Sequence, residues 1–179
     1  MTVYTHSFVG LGLGVVFGRG RMPPLYWTLA ATLPIIPDLD AFSVASYGDS
    51  ILGHRGITHT LVFAVAVGIA TAALVCRRIP MRFWMLAVVF SLITASHAIL
   101  DAFTHGGAGI PFFWPISDHR FGGWGPVLVP DVAMEIPDPR TSRAIRGELL
   151  WVWLPMGVLL GALLVCRHLR RDKPGRRAA

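Results

Sequence analysis

Ser96-His97-Ala98-Ile99-Leu100-Asp101-Ala102-Phe103-Thr104-His105 closes an apolar run that begins at Phe83, and its reading decides the fold. On an α-helix, residues four apart lie one above the other, so His97, Asp101 and His105 are predicted to share a face. A histidine and a carboxylate on one face, at the end of a hydrophobic helix, make a ready pair of metal ligands. The run itself asks for a bilayer, since about 20 apolar residues cross one. Residues 57–76 and 149–166 read the same way, and the shorter runs 7–17 and 25–36 complete the pattern. The predicted fold is all-α: a polytopic membrane bundle of about five helices, with a long outer loop between helices four and five.

Composition agrees. The chain has 179 residues, 54% hydrophobic and only 15% charged, with a mean hydropathy of +0.58. Residues 61–75 carry no polar face at helical spacing, which a soluble helical core would need. The net charge of +6 could point to nucleic acid. The basic residues, however, cluster at the ends of apolar runs, where they act as topology signals, and no nucleic-acid partner is expected. Arg19 and Arg21, then Arg77, Arg78 and Arg82, then a tail starting at Arg167, are all predicted to be cytoplasmic. Five crossings satisfy all three groups, with the N-terminus outside and the C-terminus inside. Residues 1–166 form the membrane-embedded domain in this reading, and 167–179 a disordered basic tail that anchors topology. The N-terminus lacks a basic region and a small-residue cleavage site, so no cleavable signal peptide is expected. Cys76 and Cys166 have no metal-ligand spacing and read as core fillers in a reducing compartment.

On that topology His6, Asp38, Asp40, His54, His59, His97, Asp101 and His105 all fall at the outer membrane–water boundary. Nothing in the charge rule selects them for it. Ionisable residues at membrane helices are costly and need partners or a function. In Leu33-Pro34-Ile35-Ile36-Pro37-Asp38-Leu39-Asp40 the prolines stop the helix and leave two acids on irregular backbone. Asp38 is the stronger candidate ligand. Asp40 could bridge a second ion, orient a histidine, or simply form a turn. In His54-Arg55-Gly56-Ile57-Thr58-His59, His59 in the first helical turn is a candidate ligand for metal or phosphate. His54 could act as a general acid, sit behind the ligands, or be a solvated loop residue. Arg55 could bind a phosphate bidentately or anchor a lipid headgroup. His6 enters from the outer end of helix one, and His105 is a ligand or a loop residue. Asp118 and His119 stay open, and His168 falls in the tail.

Imidazole and carboxylate ligands without cysteine suit zinc or another divalent ion. Such an ion lowers the pKa of bound water to about 7, and two ions about 3.5–4 Å apart clamp both oxygens of a phosphoester. No Gly-rich phosphate loop, dinucleotide fingerprint or nucleophile elbow occurs. The aromatic segment Pro111-Phe112-Phe113-Trp114-Pro115, with Phe121 and Trp124, reads as an interfacial belt or as a lid guiding a lipid chain.

The Pro37-Asp38-Leu39-Asp40 block, His54-Arg55-Gly56-Ile57-Thr58-His59, Ser96-His97 with Asp101, and Trp114-Pro115 together resemble the YdjM-like family of bacterial inner-membrane proteins. That family is inferred from sequence to contain metal-dependent hydrolases. The resemblance runs from His6 to about Trp124. It implies a multi-pass protein of the bacterial inner membrane. A more distant likeness is to zinc-dependent phospholipase C and related single-strand nucleases, whose ligand order His6, Asp38, His59, His97, Asp101 and His105 could meet. The departure is downstream: His119 is followed at the needed spacing by Gly123, so the resemblance implies one or two ions rather than three. The expected function is hydrolysis of a phosphoester in a lipid or other amphiphile. His6, Asp38, His59, His97, Asp101 and His105 are the metal candidates, and Asp40, His54 and Arg55 the catalytic ones. A metal-binding transporter or sensor, or a structural membrane protein, are the alternatives.

Overall fold

The structure, a computed structural model, describes residues 1–18, 20–42, 51–105, 109–128 and 139–171. Helices dominate: α1 (Val3–Phe17), α2 (Pro24–Thr32), α3 (Leu61–Val75), α4 (Phe83–Ala102), α5 (Pro139–Glu148) and α6 (Leu154–Arg171). A 3₁₀ segment, Leu33–Phe42, prolongs α2, and a 3₁₀ turn, Ile57–His59, precedes α3. A π-helical stretch, Leu149–Trp153, joins α5 to α6. Two short strands, β1 (Thr104–His105) and β2 (Val127–Leu128), pair in parallel, with Thr104 opposite Val127.

Two stretches are long and apolar enough to cross a membrane, Phe83–Ala102 and Ser142–Leu169. Helices α1 and α3 are apolar but only 15 residues long. At about 1.5 Å per residue, each is roughly 22 Å long, shorter than a hydrocarbon core about 30 Å thick. The outward faces are apolar as well: Leu74 is 81% exposed and Trp84 75% exposed. Side chains of that kind turned outward suit lipid rather than water.

The bundle is held by close helix approach. Inner residues of α2 and α4, among them Tyr26, Leu86, Phe90 and Ile93, form the main core with Ala72 of α3. Helices α3 and α4 cross at Gly68, where a Cβ would lie 2.2 Å from Ser91 Oγ and 2.4 Å from Ser91 N. Only glycine allows that approach, the small-residue packing common between membrane helices. The Tyr26 hydroxyl donates to the Gly14 carbonyl at 2.9 Å.

Several boundaries differ from the sequence reading. Helix three begins at Leu61 rather than 57, because Thr60 caps it by accepting from Phe63 N at 3.1 Å. The last helix begins at Pro139, with proline in the first turn where its missing N–H costs nothing. The connection from α4 to the last helix is therefore shorter than predicted. Within its described residues, Ile110 and Phe121 exchange backbone hydrogen bonds at 2.7 and 2.9 Å, and Leu61 N donates to Phe112 O at 3.1 Å. The predicted domain boundary at 166 falls inside α6, which runs to Arg171. There Arg167 donates to the Val15 and Val16 carbonyls at 2.8 Å, a cation on the last turn of α1. Arg19 and residues 172–179 of the predicted tail lie outside the described residues.

Candidate metal centre

Helix α4 ends as its sequence requires. Phe103 caps it, and the Thr104 hydroxyl donates to the Asp101 carbonyl at 2.7 Å before the chain extends into β1. His97 and Asp101 therefore share the inner face of the last turns, both buried. His105 lies beyond the helix, exposed, with Nδ1 on the Gly125 carbonyl. The third residue of the four-step pattern is turned away from the other two.

Three other segments converge on His97. The 3₁₀ segment after α2 delivers Asp38, whose Oδ1 is 3.2 Å from His97 Nε2 and 3.7 Å from His59 Nε2. The turn before α3 delivers His59, whose Nε2 is 3.0 Å from His97 Nε2. Asp101 Oδ2 is 3.8 Å from the same His97 nitrogen. Asp38, His59, His97 and Asp101 thus offer four ligand atoms within 4.8 Å of one another and could hold a metal ion. Helix α1 adds His6, fully buried, its ring stacked on His97 at a centroid distance of 4.0 Å. His6 Nε2 lies 3.3 Å from Asp101 Oδ1, and the Met1 amino group donates to that oxygen at 2.6 Å.

The hydroxyl of Thr58 fixes the state of His59. Thr58 donates its single proton to Asp40 Oδ2 at 2.5 Å, so at 3.0 Å from His59 Nδ1 it can only accept. His59 therefore carries a proton on Nδ1 and turns Nε2 toward His97 and Asp38. A carboxylate behind an imidazole, with the far nitrogen presented, is the usual support of a metal-binding histidine.

Asp40 serves this support and pairs with His54, whose Nδ1 is 2.7 Å from Oδ1. Asp40, His54 and His59 make a second group with metal-ligand spacing. Burial would raise the Asp40 carboxyl, but hydrogen bonds from His54, His59 and Thr58 outweigh it and hold it well below the usual carboxylate range. Asp38 behaves likewise: burial opposes its charge, while the hydrogen bonds of His59 and His97 hold it far below normal.

Arg55 is buried rather than at the lipid surface. One guanidinium nitrogen lies 3.4 Å from Asp101 Oδ2 and donates to Thr104 Oγ1 at 3.3 Å. Its backbone has φ 66°, a left-handed conformation rare for a side chain of this size. Such strain costs about 1–3 kcal/mol and gathers at functional sites. Arg120 holds this turn by donating to the Arg55 carbonyl at 3.2 Å. Gly56 completes it, since a Cβ there would lie 2.0 Å from the Ile51 carbonyl oxygen.

The donor set fits a divalent ion. Ligands sharing a tetrahedral zinc at about 2.0–2.1 Å sit about 3.3 Å from one another, and the observed 3.0, 3.2, 3.7 and 3.8 Å bracket that separation. His6 Nδ1 and His97 Nδ1 are buried with no hydrogen-bond partner, an arrangement that costs free energy.

The structure thus brings together His6, Asp38, Asp40, His54, Arg55, His59, His97 and Asp101, and leaves His105 outside. Asp118 and His119 are exposed, His119 against Phe121. Thr58 and Thr104 were not among the residues picked out in the sequence, where hydroxyls next to ligands carry no periodic signal. Glu148 was not either. Its buried carboxylate accepts from Thr2 N at 2.7 Å and from the hydroxyls of Thr2 and Thr5, tying the last helix to the helix that carries His6. An acid at the start of an apolar run is the one signal that could have found it.

Comparison with known proteins follows the same lines. The chain matches the family described as YdjM inner membrane protein over residues 1–170. It is similar to a protein of Escherichia coli (strain K12) named Inner membrane protein YbcI, 36% identical over 170 residues that cover 90% of this chain and 96% of the relative. No solved structure matches the chain.

Proposed function

The chain belongs to the YdjM inner membrane protein family, and from that premise we propose that it is a membrane-bound, metal-dependent hydrolase that cleaves a phosphoester in a lipid or other amphiphile. The observation that carries this reading is the buried group Asp38, His59, His97 and Asp101, four ligand atoms of zinc-type chemistry drawn from three separate segments. His6, stacked on His97, is the fifth residue placed to hold the ion. A divalent ion held there supplies Lewis acidity, lowering the pKa of a coordinated water to about 7 and polarising a phosphoryl oxygen.

The chain's own residues do the rest. Asp40 orients His59 through Nδ1. His54, the member of the site with its side chain 38% exposed, pairs with Asp40 at 2.7 Å and takes or returns the proton at the mouth. Arg55 places a fixed positive charge beside Asp101, where phosphate charge is to be met. The arginine-bearing turn between α3 and α4 lies at the other end of α4 from His97 and Asp101. With the arginines cytoplasmic, the site faces the outer side of the inner membrane, and the C-terminus faces the cytoplasm.

Purified protein should contain zinc or manganese and release product from phosphodiester lipid analogues. His97→Ala and Asp101→Asn should lose both the metal and the activity while keeping the elution profile of the wild type. Folded wild-type protein that takes up no divalent ion after incubation with zinc and manganese sinks the proposal.

A further inference from the structure

Beside the metal centre lies an apolar cavity of about 470 Å³ between α1, α4, the π-helical stretch and the segment before β2. We propose that it is the slot for the apolar chain of the amphiphilic substrate, an inference that rests on the hydrolase reading and names what that site accepts.

The walls are almost wholly hydrocarbon, with Val9, Leu100, Phe103, Trp124, Trp151 and Met156 among them. The volume lies within the roughly 300–1,000 Å³ of small-molecule sites. Its position relates it to the chemistry. Leu100 immediately precedes Asp101, and Val9 lies one turn from His6 on the same helix. Met1 lines the cavity while its amino nitrogen touches Asp101 Oδ1 at 2.6 Å. Met1 is thus shared between the cavity wall and the candidate ligand Asp101.

The wall on the α6 side is built in a special way. Between Leu149 and Trp153 the helix widens into a π-helical stretch, a rare form that recurs at functional sites. Its ends are fixed to α1. Glu148 binds Thr2 and Thr5, and Trp153 donates to Thr5 Oγ1 at 2.8 Å and stacks on Phe8 at 4.3 Å. Held at those points, the stretch leaves Trp151 and Val152 lining the cavity. The exposed faces of α3 and α4 are apolar too.

The test uses the full chain in phospholipid nanodiscs with hexadecyl phosphate carrying a mid-chain diazirine. After irradiation, label is expected on the segments around Phe103, Trp124 and residues 151–159. Unlabelled hexadecyl phosphate should compete it away. Met156→Trp and, separately, Val152→Phe should lower that labelling at least fivefold with metal content unchanged. Label spread evenly over Val65, Val88 and α6 marks ordinary surrounding lipid and overturns the inference, as does undiminished labelling in both filled variants. The two readings fail separately. Cavity labelling in a protein without metal or hydrolysis rejects the hydrolase and keeps the slot. Hydrolysis with evenly spread label does the reverse.

Discussion

His59 has Nδ1 on Thr58 and 3.4 Å from Asp40, and Nε2 toward His97 and Asp38, so its orientation depends on groups behind the candidate ligands. Asp40→Asn keeps the shape and removes the charge. Loss of such a supporting carboxylate should weaken metal affinity about 10–100-fold, read by competition with a chelator; unchanged affinity would show that Asp40 supports nothing. The same residue predicts a pH response. Its carboxyl is held below the usual range, so the stability it contributes is complete above about pH 3.9 and is lost as the pH falls further. Melting temperatures of the wild type should therefore fall more steeply below about pH 4 than those of Asp40→Asn. At the residue scale the sequence was legible where chemistry is rare. Asp38, His59, His97 and Asp101 stand out in apolar surroundings. Thr58 was not, because a threonine acquires its meaning only from what its hydroxyl touches.

Two contacts between elements set how the site is held. Gly68 lets α3 lie against Ser91 of α4, and the turn before α3 carries His59. Gly68→Val must force the helices apart, and overpacking of this kind costs about 1–3 kcal/mol. Thermal unfolding in detergent should show the loss, and adding Ser91→Gly should recover part of it. Glu148 joins the last helix to α1. Glu148→Ala leaves Thr2 N and two hydroxyls without their acceptor, at a cost of about 2 kcal/mol or more. Faster proteolysis between α5 and α6 is the expected sign, and an unchanged cleavage pattern would reject the tie. Helix α4 was legible almost to the residue, since an uninterrupted apolar run of bilayer length has one reading. Helix α5 was not. Its polar sequence, Pro139 to Glu148, resembles loop until its attachment to α1 is seen.

Over the whole molecule the basic turn at Arg77, Arg78 and Arg82 and the His/Asp cluster occupy opposite ends of α4. In a background without Cys76 and Cys166, a cysteine at Arg78 should label only from the cytoplasm and one at Asp118 only from outside; the reverse pattern would invert the topology. The sequence by itself determined that the chain is helical and apolar enough for a membrane, and that histidines and aspartates gather at one end of it. Those properties follow from hydropathy, charge and period, which are local. Only the tertiary structure decided which of these residues meet. His97 and Asp101 share a helix face by geometry alone, but His105 shares only their spacing, because α4 ends at Ala102 and the chain turns away. Asp38, His59 and His6 reach the same point because a proline-bent segment, a glycine turn and a third helix pack there. No periodicity within any one segment encodes that convergence.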